Sequence, residues 1–354
     1  QQWYKMLFEV NDKEEIIVTY KEIKDLMAST HSDSLVMFEI HTVRYYIVLG
    51  QMTKALAQMN KLNEISSTFD SLHKFYWYKF KGNYNSLSSS SDYKQALHSY
   101  KLAEEKLNQL ELPEEEIADL QYTIAVTHSK LRNTLESIKY ANKALEIYRQ
   151  QYNFIRCAQC HIVLGISYRR IKMYDQSIKN HNLAKHLGKL SKNNQIIQLA
   201  NQNLGYLHST KGDKQKAIQH FVEVANETGI DITASLTAVT SLIKEYYAIG
   251  KLEETKQMIE RGRELLQKVR RGSFNKIYYY IIYTYQYAIA EEKEKFEHLV
   301  IKEFLPYLKK RNDHGNIVVY ASMLGLHFEQ QNKYKDSVNY YKIANDAYQE
   351  LINL

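Results

Sequence analysis

Proline occurs only twice, at Pro113 and Pro306, and glycine only 12 times in 354 residues. So few breakers leave few places where a helix must end, and nothing in the composition points to disorder. Cysteine also occurs only twice, which argues against a disulfide scaffold and places the protein in the cytoplasm. No run of 18 apolar residues exists, so no membrane span is expected. The opening "QQWYKMLFEVNDKEE" lacks the basic-then-apolar layout of a secretory signal. No G-x-S-x-G, P-loop or H-E-x-x-H motif is present, so no catalytic residue is nominated.

What is abundant is tyrosine, 30 residues, within a chain that is 44% hydrophobic. The net charge of +7 comes from 47 cationic and 40 anionic side chains that are interspersed rather than blocked. The densest basic runs, "KVRRGS" (268–273) and "KKR" (309–311), are short enough to be solvated helix ends rather than a nucleic-acid footprint.

A spacing pattern recurs along the chain. A large apolar residue precedes a small one, a ring follows three residues later, and a second small residue comes twelve after the first. It reads Leu164-Gly165, Tyr168, Ser177, His181, Ala184, and again Leu204-Gly205, His208, Ala217, Phe221. It also reads Ile124-Ala125, His128, Ser137, Ala141, Ala144, and near the end Leu324-Gly325, Phe328, Ser337, Tyr341, Ala344. Ala125, Gly165 and Gly205 recur at 40-residue intervals. This resembles the tetratricopeptide repeat, a helix–turn–helix unit in which small residues sit where paired helices cross and rings fill the groove beside them.

"KGDK" (211–214) and "IGKLE" (249–253) supply glycines between paired helices, and Pro113 followed by "EEE" makes a good helix start. Weaker copies surround Ala55, Ala96 and Thr255, "SLSSSSD" (86–92) lengthens one turn within a repeat, and 275–300 defies registration. The first 70 residues read as helices outside the repeat register. The expectation is therefore an all-α chain: an N-terminal helical bundle over 1–70, then a right-handed superhelical tetratricopeptide-repeat solenoid over 71–354.

"CAQCH" (157–161) spells a haem-attachment or redox motif, yet in repeat register it is one turn of a helix. Cys157 and Cys160 share a face toward the neighbouring unit, and His161 takes a packing position. Haem attachment needs an export compartment, zinc needs further ligands, and a reactive thiol needs a helix N-terminus. No cofactor and no metal is expected. The scattered histidines, several at packing positions, are read as structural.

The concave face is the remaining candidate site. In this repeat family the groove-facing positions of the inner helices correspond to Gln159, Ile162, Ile166, Arg169 and Arg170 in one unit. In the next they are Leu199, Gln202, Tyr206 and Ser209, with Asn203 adjacent, and in the preceding one Tyr122, Val126, Ser129 and Lys130. Amides there can clamp an extended peptide backbone, donating and accepting at once, and the paired arginines can hold a carboxylate. Of the residues that clamp chaperone tails in other repeat proteins only Asn203 is present, so a chaperone cofactor is not expected.

The stretches "LPEEEIADLQYTIAVTHSKLRNTLESIKYANKALEIYRQQY", "VLGISYRRIKMYDQSI" and "ANQNLGYLHSTKGDKQKAIQHF" are similar to Rap proteins of Bacillus. "QQWYKMLFEV" and "FEIHTVRYYIVL" resemble the Rap N-terminal bundle, with Trp3, Tyr4 and Arg44 in matching places. The chain thus resembles the RNPP group of peptide-pheromone receptors (Rap, NprR, PlcR) over most of residues 1–265. The resemblance implies a short imported signalling peptide bound in the concave groove, an Asn203 contact to its backbone, and a shift in packing that switches an output.

The expected peptide contacts are Asn203, Gln159, Arg169, Arg170, Tyr206, Gln202, Ile166, Tyr122 and Lys130. Two departures matter. Rap phosphatases carry a catalytic Gln at a position that aligns near Ser32 in "STHSD" (29–33), where no Gln occurs, which argues against phosphatase activity. Arg169 and Arg170 replace acidic or amide residues, which suits a peptide with an acidic residue. A chain opening at Gln1 matches a sensor portion whose DNA-binding helix-turn-helix lies elsewhere. The expected function is an NprR-like, homo-oligomeric transcription regulator that reaches DNA only through such a domain. The alternative is a Rap-type inhibitor or phosphatase of a response regulator.

Overall fold

The computed structural model describes residues 2–9, 12–27, 33–88, 91–107, 109–227, 232–269 and 276–353; Ser32 and most of the basic 268–273 run lie outside them. Among the described residues the chain is helical and carries no strand, as its composition and spacing imply. It forms two compact units, Gln1–Met173 and Tyr174–Leu354.

In the first unit the helices are α1 (Gln2–Glu9), α2 (Lys13–Met27), α3 (Asp33–Val48), α4 (Met52–Ile65), α5 (Ser71–Leu87), α6 (Tyr93–Leu107), α7 (Glu114–Lys130), α8 (Thr134–Gln150) and α9 (Phe154–Arg170). Rings hold the first three together: Trp3, Leu7, Ile16, Phe38 and Tyr45 form one buried cluster, and Tyr20 stacks on Tyr45 at 4.0 Å. The His41 ring on α3 then packs on Tyr76 and Phe80 of α5, so these helices continue into the repeat core.

The 40-residue period has a simple geometric origin. Helices α7, α8 and α9 each span 17 residues, and three-residue turns join them. Each of these turns, and the one that follows α9, places one residue in the left-handed region: Arg132 (φ 62°), Tyr152 (φ 54°) and Lys172 (φ 61°). At the first of these, Asn133 N donates to His128 O at 2.9 Å and Arg132 N to Ser129 O at 3.2 Å, which satisfies the last carbonyls of α7. The next residue in the cadence starts the following helix, as when Asn153 Oδ1 accepts from Arg156 N at 3.1 Å.

Within each hairpin the small residues sit at the crossing. Ser137 on α8 donates to the Ala125 carbonyl of α7 at 2.9 Å. A Cβ on Gly82 of α5 would fall within the Tyr100 ring of α6. Tyr100 follows Gly82 by 18 residues where Phe221 follows Gly205 by 16, because the serine-rich 86–92 stretch lengthens that turn.

The second unit contains α10 (Tyr174–Leu190), α11 (Asn194–Thr210), α12 (Lys214–Ala225), α13 (Ile232–Ala248), α14 (Leu252–Lys268), α15 (Lys276–Ile289), α16 (Lys293–His298), α17 (Leu305–Lys310), α18 (His314–Gln330) and α19 (Tyr334–Asn353). The expected glycine turns are present, with Gly212 at φ 82° and Gly250 at φ 74°. Phe221 of α12 occupies the space a Cβ on Gly205 of α11 would need, and Tyr341 of α19 would stand 2.8 Å from one on Gly325 of α18.

The described part of the unregistered 275–300 stretch, from Lys276 on, also enters a hairpin: α15 packs against α16 and α17, with Tyr280 stacked on Phe304 at 5.0 Å and tilted against Tyr307 at 5.3 Å. A π-helical turn, Leu299–Phe304, joins α16 to α17. Pro306 accounts for it, since its ring nitrogen cannot donate to the carbonyl four residues back, and a widened turn relieves the clash.

Candidate functional site

Beneath the inner face of the first unit lies a buried ion network. Lys79 on α5 is 1% exposed, and its Nζ stands 2.6 Å from Glu116 and 2.9 Å from Asp119, both on α7. Tyr4 of α1 donates to Glu116, and Arg156 of α9 approaches Asp119 at 3.9 Å. Burial alone raises the Asp119 pKa, but Lys79, Arg156 and Arg44 outweigh it and hold the carboxyl below its ordinary range. Burial likewise lowers Lys79, and Asp119 with Glu116 more than reverse the effect, so its ammonium is kept.

Above this network opens a cleft of about 260 Å³ lined by Arg44, Tyr93, Asp119, Tyr122, Val126, Lys130 and Arg156, among others. Two expected contact residues, Tyr122 and Lys130, therefore share one cavity. Gln159 is half-buried and its Oε1 accepts from Arg156 Nη1 at 3.2 Å, which ties it to the same charged group. Ile166 and Arg169 are half-buried on α9. Arg170 donates to the Ser129 carbonyl and to Ser129 Oγ at the end of α7. Burial first, then Arg132 and Arg169, push its guanidinium down to about 10, still protonated at neutral pH.

In the second unit Gln202 and Asn203 are adjacent buried amides on α11. Gln202 Nε2 donates to Ser241 Oγ of α13 at 3.2 Å, while its Oε1 is buried with no hydrogen-bond partner. Asn203 Nδ2 donates to the Leu199 carbonyl of its own helix at 2.8 Å. Tyr206, exposed, sets its ring edge-on to Phe221 at 5.4 Å. On the same helices Ser209 donates to Glu245, which also meets Lys214 at 3.0 Å, and Lys244 reaches Asn316 Oδ1 at 3.1 Å.

Cys157 and Cys160 are buried free thiols, and burial pushes both upward in pKa, away from the thiolate form that redox or metal chemistry uses. Their packing role matches the repeat register. Among the described residues, no three of His, Cys, Asp and Glu converge as metal ligands do, and no helix is long and apolar enough to cross a membrane.

In the sequence "EEE" marks a helix start, and the network of Lys79, Glu116 and Asp119 is not legible there. One signal is there: Lys79 sits in "FYWYKF", beside rings that bury most of its helix.

A tetratricopeptide-repeat family model matches residues 118–151 and 200–226. The transcriptional activator NprA of Geobacillus stearothermophilus is 32% identical over 99% of this chain and 87% of its own length. The apo quorum sensor NprR from B. thuringiensis superposes with a TM-score of 0.79 at 18% identity, over 98% of this chain and 96% of that one. A Rap protein in complex with competence and sporulation factor superposes with a TM-score of 0.78 at 19% identity, over 99% and 97%. The two structures establish a shared helical-repeat fold. With the repeat register, the bundle ahead of it and the extent of its identity to NprA, this chain belongs to the RNPP family of tetratricopeptide-repeat regulators.

Proposed function

We propose that this chain is a cytoplasmic quorum-sensing receptor that binds a short signalling peptide on the inner faces of its repeat helices and switches a transcriptional output. One observation carries the reading: the Gln202 amide oxygen is buried and unpartnered beside Asn203. A buried acceptor left unsatisfied costs about 1–3 kcal/mol, and a rotation of the Gln202 side chain toward the groove, where a backbone N–H of an extended peptide can meet it, would recover that cost. The likeness to NprA, named a transcriptional activator, supports transcription as the output.

The proposed contacts are Tyr122, Lys130, Gln159, Ile166, Arg169 and Arg170 in the first unit, and Gln202, Asn203 and Tyr206 in the second. In this reading residues 1–70 relay the signal, residues 71–354 sense it, and the receptor works as a homo-oligomer by binding rather than by catalysis. Affinity selection from a random heptapeptide pool, followed by calorimetry on captured sequences, tests it. Saturable binding is expected; a chain that retains no peptide is a scaffold of another kind.

A second reading, inhibition of a response regulator, rests on Trp3, Tyr4 and Arg44, which resemble the Rap bundle. Peptide-sensitive binding of a phosphorylated receiver domain would favour it, and loss of the phosphoryl group on incubation would make the chain an enzyme.

A further inference from the structure

Arg44 of α3 stands apart from the other cations of the first unit. It is half-buried and makes no ion pair or hydrogen bond among the described residues, although it lines the 260 Å³ cleft. It also lines the small hollow beneath, beside Lys79 and Asp119. Asp119, whose charge Arg44 feels at longer range, is already in contact with Lys79 at 2.9 Å and Arg156 at 3.9 Å. Lys130, exposed at the rim, is likewise without an ion pair among the described residues. Four cations thus surround two carboxylates, Glu116 and Asp119, leaving two positive charges over.

A half-buried guanidinium that shares one carboxylate with two other cations, and is in direct contact with none, favours a further anion that enters the cleft. Its planar fork matches a carboxylate bidentately. The walls narrow the choice of anion. Leu87, Tyr122 and Val126 give the cleft an apolar flank that a bare phosphate would leave wet and an amino-acid residue would cover.

We propose that this cleft is a subsite for a carboxylate of the bound peptide, gripped by Arg44 and closed from the rim by Lys130. The proposal rests on the peptide-receptor reading. The carboxylate has two sources, the peptide's C-terminus or an Asp or Glu side chain within it.

The probes that separate them are random heptapeptide pools in three forms: free C-terminal acid, C-terminal amide, and amide with Asp and Glu omitted. Each is selected on the wild-type chain, on Arg44→Met and on Lys130→Met, with thermal melts confirming the fold. Lys130, being exposed, provides a variant that folds even if Arg44→Met does not. The wild type is expected to prefer carboxylate-bearing peptides at least tenfold over matched peptides without one, and either variant to cut that preference below threefold. Preference for the acid pool over the amide pool assigns the terminus; enrichment of Asp or Glu within the amide pool assigns a side chain. A carboxylate preference unchanged in both variants overturns the subsite while leaving the receptor reading intact. No capture from any pool by the wild type overturns both.

Discussion

Lys79 Nζ lies 2.6 Å from Glu116 in a core where the lysine is 1% exposed and the glutamate 4%. The pair joins α5 to α7, and the second carboxylate, Asp119, makes the desolvation tolerable. Removing one partner leaves buried charge without compensation. Lys79→Met is expected to lower unfolding stability by about 3–5 kcal/mol, read from the urea midpoint. Adding Glu116→Gln to it should restore part of that loss. A single-variant loss below about 1 kcal/mol would mean the pair is solvated in solution.

His41 gives the first unit an acid sensitivity. Burial drives its pKa from the ordinary 6.5 to about 4, with Lys79 and His73 adding to the effect against the hydrogen bond to the Met37 carbonyl. The fold therefore holds the ring neutral, while the unfolded chain takes a proton below about pH 6.5. Stability should fall as pH drops from about 6.5 to about 4 and this contribution should then level off. The loss is on the order of 3 kcal/mol. His41→Phe should flatten that part of the stability–pH profile. An unchanged slope between pH 4 and 6.5 in the variant would assign the sensitivity elsewhere.

A helix crossing and a turn of the repeat make opposite demands on glycine. At Gly205 a Cβ would enter the Phe221 ring, so Gly205→Ala should cost about 1–2 kcal/mol despite alanine's better helix propensity. Thermal melting that shows a gain instead would mean the α11–α12 crossing can open.

Tyr152 is the reverse case, an 80% exposed side chain held at φ 54°. Tyr152→Gly should raise stability by about 0.5–1 kcal/mol, since only the strained backbone is relieved. A loss in the same assay would show that the ring contributes to the turn.

The repeat was readable from sequence because its packing is local: a small residue and a ring 16 positions on must meet, as Gly205 and Phe221 do. The turns were only half-readable. Gly212 and Gly250 stand where glycine was expected, but Arg132, Tyr152 and Lys172 adopt the same left-handed conformation without announcing it. The charged network was hidden for a different reason. Lys79 and Glu116 are 37 positions apart, and although the rings around Lys79 hint that it turns inward, nothing in the sequence says which carboxylate meets it. Arg170 shows the same limit, since its reach to the Ser129 carbonyl 41 positions back depends on how α7 and α9 pack. Gln202 and Asn203 were located by register, while the orphaned oxygen on Gln202 is visible only in three dimensions.

Titration calorimetry of a selected heptapeptide into the wild-type chain, Gln202→Ala and Asn203→Ala bears most directly on peptide recognition by α11. Each substitution should weaken binding by at least about 1 kcal/mol, roughly a fivefold rise in Kd, measured at a temperature where thermal melts show every variant folded. Equal affinity in all three proteins would place the peptide away from these amides and contradict the account.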